Sequence, residues 1–144
     1  MSKPRVLFLC TGNTARSQMA EAFLRKYAGD RFEVDSAGLE PGVLNPYTVR
    51  VMEEKGIDMS GRYAKGLDRF LGTVHFDYAI TVCDRAQQQC PIFPSASTRW
   101  FWPFEDPAPY SAGDEATALA KFREVRDQIE RRIVAWLKEL SPDR

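Results

Sequence analysis

The fold is decided by the stretch Cys10-Thr11-Gly12-Asn13-Thr14-Ala15-Arg16-Ser17. The residues before it, Arg5-Val6-Leu7-Phe8-Leu9, form an apolar run that is typical of a strand buried on both faces. After it, apolar residues recur at helical spacing until Gly29, namely Met19, Ala20, Phe23, Leu24 and Tyr27. The stretch is therefore predicted to be a loop that joins the carboxyl end of a strand to the amino end of a helix.

A loop in this position is suited to binding an anion. Backbone N–H groups and the helix dipole supply partial positive charge there, and Gly12 and Asn13 tolerate the left-handed backbone that turns amides inward. We expect this field, together with hydrogen bonds from Arg16 and Ser17, to hold the pKa of the Cys10 thiol well below that of a free thiol. The planar guanidinium of Arg16 can grip two oxygens of a tetrahedral oxyanion.

Each residue alone has a simpler interpretation, since a cysteine that ends a buried strand is usually a small core residue. The coincidence of Cys10, five intervening residues, Arg16 and Ser17 favours a nucleophile beside an oxyanion. It also resembles the low-molecular-weight protein tyrosine phosphatase superfamily, whose signature is Cys-x5-Arg-Ser/Thr near the amino terminus. The longer run from Cys10 to Glu21 resembles one branch, the thioredoxin-coupled arsenate reductases. The resemblance implies that the oxyanion is bound by Thr11, Gly12, Asn13, Thr14, Ala15, Arg16 and Ser17.

Composition excludes several classes of function. The 144 residues are enough for one domain with a single core, so we expect one domain over residues 1–144. The 20 basic and 20 acidic residues are interspersed, which argues against a nucleic-acid or membrane partner. No apolar run has membrane-spanning length and no signal-peptide core is present, so a soluble cytoplasmic protein is expected. Three cysteines and one histidine match neither a disulfide scaffold nor a zinc site.

The rest of the chain alternates between strand and helix patterns. Further strands are predicted at 32–38, at 78–82 and, shorter and aromatic, at 99–102. Further helices are predicted from Asn45-Pro46 to Gly56, as one short helix with Leu67, Phe70 and Leu71, and over 119–140 before Ser141-Pro142. We therefore predict an α/β fold: a doubly wound sheet of about four parallel strands in flavodoxin-like order, with helices on both faces.

This fold would bring distant residues to one edge of the sheet. Cys10 ends the first strand, Cys83 ends the third, and Asp106 follows the fourth. Neighbouring strands lie about 4.8 Å apart, and a disulfide needs a Cα separation of about 4.4–6.8 Å, so Cys10 and Cys83 could be bridged with modest movement. The alternative for Cys83 is an inert thiol at a strand end.

Cys90 adds a third thiol beyond the polar segment 84–89, which is compatible with a short helix. In a helix, residues seven apart stand about 10.5 Å apart along the axis, too far for a disulfide. A Cys83–Cys90 bond would therefore require the segment to unwind, and we predict a redox switch that is helical when reduced and looped out when oxidised.

The spacing Cys83-x6-Cys90, followed by Pro91-Ile92-Phe93-Pro94, resembles the resolving-cysteine segment of thioredoxin-coupled arsenate reductases. The resemblance implies that Cys10 is the nucleophile, that Cys83 and Cys90 resolve the intermediate in turn, and that thioredoxin is the reductant. It implies arsenate as substrate and no bound cofactor, and we expect a monomer.

A departing arsenic or phosphorus oxygen must be protonated, so a carboxylic acid is expected near the loop. Glu105 and Asp106 are both available before Pro107. The superfamily places its acid in an Asp-Pro pair after the fourth strand, which matches Asp106, although a simple turn would also use Asp-Pro. Tyr110 departs from the phosphatase pattern, in which aromatic residues directly follow Asp-Pro to hold a phosphotyrosine ring.

Some family members bind potassium near the loop through Asn, Glu, Ser and Asp. Asn13, Glu21 and Ser36 match three of these ligands, whereas Lys65 takes the place of the acidic one. We hypothesise that the Lys65 ammonium replaces the cation by pairing with Glu21, the alternative being a solvated lysine. His75 is interpreted as structural.

Two other functions are compatible with the same residues. A phosphatase for phosphotyrosine or small phosphate esters would use Cys10, Arg16 and Asp106 without needing Cys83 or Cys90. A redox-regulated oxyanion-binding protein would use the cysteines to sense, without turnover.

Overall fold

Four parallel strands form the centre of the molecule. The computed structural model describes residues 3–70, 74–83 and 96–140, and its strands are β1 (Arg5–Cys10), β2 (Glu33–Gly38), β3 (Phe76–Thr81) and β4 (Ala96–Phe101). Their order is β2-β1-β3-β4, and all neighbours are parallel. The predicted sheet and its flavodoxin-like order are confirmed. The prediction of a shorter fourth strand was wrong, because β4 also pairs with β3 through its polar first half and has six residues.

The helices follow the predicted pattern with shifted ends. They are α1 (Arg16–Ala28), α2 (Pro46–Glu53) and α3 (Glu115–Leu140). Asn45 caps α2 as expected, since its Oδ1 accepts a hydrogen bond from the backbone N–H of Tyr47 at 2.9 Å. α2 ends at Glu53, before the predicted end. α3 begins at Glu115, before residue 119, and the prediction missed this start because the apolar residues of its first turn are only two small alanines, Ala116 and Ala118. None of the described helices is both long and apolar enough to cross a membrane.

Both faces of the sheet are covered by helical structure. In β1, Val6 and Phe8 face a core that includes buried residues of all three α-helices. Leu7 and Leu9 face a second core on the opposite side, against which Leu67 packs. Leu67 opens the 3-10 turn Leu67–Arg69, which is what the structure has in place of the predicted short helix; Leu71 lies outside the described residues.

The carboxyl ends of the strands meet at one edge, as predicted for Cys10, Cys83 and Asp106. Backbone hydrogen bonds from Trp102 to Thr81 (2.8 Å) and from Phe104 to Val82 (3.3 Å) continue the pairing beyond β4 and lead the chain to Asp106. The segment 84–90, with the predicted helix and Cys90, lies outside the described residues.

Candidate active site

The loop between β1 and α1 has the strand–loop–helix context predicted from sequence. Of the two residues expected to take a left-handed backbone, Asn13 does so, with φ of 56°, and Gly12 does not. This turn brings the Asn13 N–H to 3.1 Å from the Cys10 Sγ. Arg16 follows as the first residue of α1, so its side chain starts at the positive end of the helix dipole.

The loop is supported from beneath by the segment 39–45, which the sequence analysis missed. Four carbonyl oxygens of the loop accept backbone N–H groups of this segment: Cys10 from Leu39 (3.1 Å), Thr11 from Glu40 (2.9 Å), Gly12 from Gly42 (3.0 Å) and Thr14 from Asn45 (3.1 Å). With these carbonyls occupied on one side, the loop N–H groups remain for an anion on the other. Backbone pairing of this kind leaves no side-chain signature in a sequence.

Gly38, just before this segment, allows the close approach. An added Cβ there would lie 2.7 Å from the Thr11 carbonyl oxygen and 2.8 Å from the Asn13 nitrogen. Both distances are shorter than a real Cβ tolerates, so a larger residue at position 38 must displace the loop.

The Asn13 side chain joins the loop to three other parts of the chain. Its Nδ2 donates to the hydroxyls of Ser17 (2.7 Å) and Ser36 (3.0 Å), and its Oδ1 accepts from the Gln18 side chain (3.0 Å) and the Lys65 backbone (2.8 Å). Asn13, Ser17, Gln18 and Ser36 are fully buried. Gln18 was missed by the sequence analysis, although a polar residue on the apolar face of α1 is the kind of signal that could have found it.

Cys10 is buried against Ser17, whose hydroxyl oxygen lies 2.8 Å from its Sγ. Burial raises the pKa of the Cys10 thiol, and this outweighs the Ser17 hydroxyl, the Arg16 charge and the N–H groups of Asn13 and Ser17, which all lower it. The prediction of a lowered pKa was therefore wrong. It counted the favourable donors and charge but not the cost of removing the sulfur from water.

Arg16 and Asp106 meet across the site. The guanidinium Nη2 lies 3.4 Å from the Asp106 Oδ2, while Nη1 donates to the Phe104 carbonyl at 3.1 Å. The Asp106 Oδ1 accepts from the Ala108 N–H at 3.0 Å, so the expected Asp-Pro turn is present as well as the ion pair. One side chain of the anion-binding loop thus contacts both the acid candidate and the backbone that carries it.

A pocket of about 610 Å³ opens between these elements. The described residues that line it are Thr11, Arg16, Cys83, Pro103, Phe104, Glu105 and Asp106. The Thr11 hydroxyl lies 3.3 Å from the Cys83 Sγ, which places the second cysteine against the anion-binding loop. Cys83 is buried, at 3% exposed. Because Arg16 and Cys83 line the same pocket, an oxyanion bound there would lie beside a second thiol.

The Lys65–Glu21 pair expected from sequence is present beneath the loop. The Lys65 Nζ lies 3.4 Å from Glu21 Oε1 and 3.4 Å from the Ser36 hydroxyl. Arg62 (3.1 Å) and Arg25 (2.9 Å) also contact the buried Glu21 carboxylate. The Lys65 ammonium contacts the same Glu21 and Ser36 oxygens that would have to coordinate a potassium ion, and two arginines pair with the same carboxylate. These residues therefore do not fit a bound potassium ion, because a second cation would be repelled there.

The model of the low molecular weight phosphotyrosine protein phosphatase family matches residues 5–144. The chain belongs to this family. The match covers every described residue except 3 and 4, and it includes the sheet, the loop of Cys10 and the segment of Asp106.

Proteins similar to this chain include several that are named arsenate reductases. An arsenate reductase of Halalkalibacterium halodurans is 44% identical over 133 residues, covering 92% of this chain and 94% of that protein. A solved arsenate reductase in the phosphate binding state superimposes with a TM-score of 0.76 at 30% identity, covering 96% and 99% of the two chains. A thioredoxin-dependent arsenate reductase of Corynebacterium glutamicum has a TM-score of 0.70 at 30% identity, covering 99% of this chain and 64% of the other.

Proposed function

We propose that this family member reduces arsenate to arsenite through a relay of three cysteines, with thioredoxin as the reductant. The observation that carries the proposal is the contact of the Thr11 hydroxyl with Cys83 at 3.3 Å, because it places a second sulfur at the wall of the oxyanion pocket. A phosphatase would need only Cys10, Arg16 and Asp106 there. The similarity to arsenate reductases over more than nine-tenths of the chain supports the same choice.

The first step joins Cys10 to arsenic. Arsenate lies on the loop N–H groups and the Arg16 fork, the Cys10 sulfur forms an S–As bond, and one As–O bond breaks. Asp106 gives a proton to the departing oxygen, which leaves as water. Arg16 then contacts two groups: it binds the oxyanion, and its Nη2 lies 3.4 Å from the Asp106 Oδ2.

The raised pKa of Cys10 assigns the proton in this step. A thiol beside a doubly charged arsenate carries the same total charge as a thiolate beside a singly charged one. We infer that the proton passes from the Cys10 sulfur to a substrate oxygen when the oxyanion settles in the loop. The Ser17 hydroxyl, 2.8 Å from Sγ, stabilises the thiolate that this transfer leaves.

The second and third steps move electrons and then the disulfide. Cys83 attacks the Cys10 sulfur, an S–S bond forms, and the electron pair of the broken S–As bond stays on arsenic, which is thereby reduced from As(V) to As(III). Cys90 then attacks Cys83 and frees Cys10. Thioredoxin reduces the resulting Cys83–Cys90 disulfide.

The decisive experiment measures NADPH consumption with thioredoxin and thioredoxin reductase after arsenate is added. We expect sustained NADPH consumption with wild type and none with Cys83→Ser or Cys90→Ser, because each turnover of the proposed relay requires both sulfurs. Hydrolysis of an aryl phosphate by the same variants is the control, and it should largely survive.

Each rival function predicts a different result. Hydrolysis without any NADPH consumption would make the protein a phosphatase. A single equivalent of arsenite per protein, with no further turnover, would indicate a redox-regulated oxyanion-binding protein. Turnover with a low-molecular-weight thiol but not with thioredoxin would keep the chemistry and change the partner.

We also propose that the Lys65 ammonium takes the role of a monovalent cation beside Glu21. Its contacts at 3.4 Å with Glu21 and Ser36 place a fixed positive charge where the loop network begins. Potassium chloride should therefore change neither the melting temperature nor arsenate turnover beyond what sodium chloride does at the same ionic strength. A potassium-specific increase in either quantity would contradict this role.

The relay requires a compartment in which thiols are kept reduced, and we therefore propose a cytoplasmic location. We further propose that the protein acts as a monomer formed by one domain of 144 residues. Size-exclusion chromatography with light scattering checks the oligomeric state.

A further inference from the structure

The segment 105–113, which carries Asp106, has weak backbone support. The strand pairing ends at the Phe104 N–H, which donates to Val82. Beyond it, the backbone hydrogen bonds that 105–113 makes among the described residues stay within the segment: Tyr110 to Pro107 (3.0 Å) and Gly113 to Tyr110 (3.2 Å). The position of the Asp106 carboxyl must therefore depend on side chains that attach this segment to the rest of the molecule.

Glu105 provides the attachment next to Asp106. Its Oε1 accepts from the Lys121 ammonium of α3 at 3.0 Å, and its Oε2 accepts from the Tyr110 hydroxyl at 3.2 Å. The Lys121 Nζ also lies 5.0 Å from the centroid of the Tyr110 ring. Three side chains thus form a closed triangle of contacts, hereafter the Glu105 clamp.

The clamp and the active site hold neighbouring residues of one short segment. Glu105 is bound to α3 through Lys121, whereas Asp106 is bound to the anion-binding loop through Arg16 at 3.4 Å. We propose that Glu105 is a positioning residue that fixes the Asp106 carboxyl at the pocket lined by Arg16 and Cys83. This inference rests on the acid role proposed for Asp106, and it gives the second carboxylate of the Glu-Asp-Pro sequence a separate task.

The charge state of the clamp suits this task. The hydrogen bond from Lys121 lowers the pKa of Glu105, which favours the ionised carboxylate that the clamp uses. Both ends remain accessible to water, since the Glu105 side chain is 52% exposed and that of Lys121 is 19% exposed. Exposed ion pairs contribute little individually, and we expect the loss of the clamp to lower kcat by about two- to fivefold.

The test is a double-mutant cycle between Lys121→Met and Asp106→Asn, read as kcat for arsenate with thioredoxin present. Lys121→Met alone should lower kcat by about two- to fivefold and leave KM nearly unchanged, because Arg16 and the loop still bind the oxyanion. Asp106→Asn alone should lower kcat by about a hundredfold. In the Asp106→Asn background, Lys121→Met should have no further effect, since the clamp acts only through that carboxyl.

Glu124→Gln is the matched control. Glu124 pairs with the same Lys121 at 2.7 Å and is equally exposed, but it lies on α3 and not on the acid segment. It should leave kcat within error of wild type, while Glu105→Gln should reproduce Lys121→Met. Equal losses in Glu105→Gln and Glu124→Gln, or full additivity in the cycle, would overturn the proposal.

Amide hydrogen exchange separates this proposal from the proposed function. Exchange of residues 105–113 should be faster in Glu105→Gln and Lys121→Met than in Glu124→Gln, whether or not arsenate is reduced. Equal exchange in the three variants would overturn the clamp even in an active enzyme. Absence of arsenate turnover in wild type would overturn only the reductase assignment, and the cycle would then be measured on aryl phosphate hydrolysis.

Discussion

Two short segments at the same edge of the sheet are held in opposite ways. The anion-binding loop, residues 10–17, is supported by backbone hydrogen bonds from 39–45 and by the buried amide of Asn13. The acid segment, residues 105–113, is held by side-chain hydrogen bonds and ion pairs, in which the carboxylates of Glu105 and Asp106 are about half exposed to water. The loop proposed to bind the oxyanion is thus rigidly built, whereas the segment proposed to deliver the proton is adjustable, because partly exposed contacts are weak and screened by salt.

The largest loss of stability is expected from a substitution at Gly38, which lies against the anion-binding loop. Gly38→Ala places a Cβ 2.7 Å from the Thr11 carbonyl oxygen, so the loop must shift or the strand must open. We expect a loss of about 1–3 kcal/mol in the free energy of unfolding, together with weaker phosphate binding. Urea denaturation and calorimetric titration with phosphate measure the two effects.

Gly113→Ala is the counterpart in the acid segment. A Cβ there would lie 3.6 Å from the Tyr110 carbonyl oxygen, an ordinary contact distance, and its stability should remain close to that of wild type. Similar losses of unfolding free energy in the two variants would show that the acid segment is packed as tightly as the anion-binding loop.

A smaller effect is expected at Ser17, the hydroxyl next to the nucleophile. Ser17→Ala removes the donor that stabilises the Cys10 thiolate, so the pKa of Cys10 should rise further. The rate of alkylation by iodoacetamide, followed against pH, should therefore reach its midpoint at higher pH. In wild type the midpoint should already exceed that of an ordinary thiol, because burial raises it.

Ser111→Ala is the control for this measurement. The Ser111 hydroxyl accepts from the Asn45 side chain at 3.0 Å in the acid segment and has no contact with Cys10, so the alkylation midpoint should not move. A Ser17→Ala midpoint equal to that of wild type would mean that the hydroxyl does not stabilise the thiolate.

The smallest predicted effect is the response to salt. Raising sodium chloride from about 0.05 to 0.5 M shortens the screening length severalfold and should lower kcat at saturating arsenate by up to about twofold, because the Glu105 clamp is exposed. Lys121→Met should show no such decrease. If kcat of the two proteins fell in parallel, the salt effect would have to arise elsewhere.

Much of the fold was predictable from local sequence. The apolar run of β1, the Asn45-Pro46 start of α2 and the periodicity of α3 each specify an element through its own residues. The alternation of these elements also predicted the parallel sheet. Errors fell where the apolar signal was weak, as in the polar first half of β4 and the first turn of α3, whose apolar residues are alanines.

The site was less completely predictable, because several of its contacts join residues far apart in sequence. Arg16 and Asp106, and Thr11 and Cys83, are brought together as expected from their strand ends. The support from 39–45 could not be predicted, since backbone groups are the same at every residue. The pairing of Glu105 with Lys121 could not be predicted either, because the sequence does not show which lysine of α3 lies near Glu105.

The sequence by itself determined which chemical groups exist and near which elements they lie: a thiol at the end of β1, a guanidinium at the start of α1, a second thiol after β3, and an Asp-Pro pair after β4. Only the tertiary structure decided how those groups behave. Burial raises the pKa of Cys10 where the local donors alone predicted a decrease, and Arg25 and Arg62 join the expected Lys65 at the Glu21 carboxylate. Both outcomes depend on solvent exclusion and on charges from distant segments, which act through space and not along the chain.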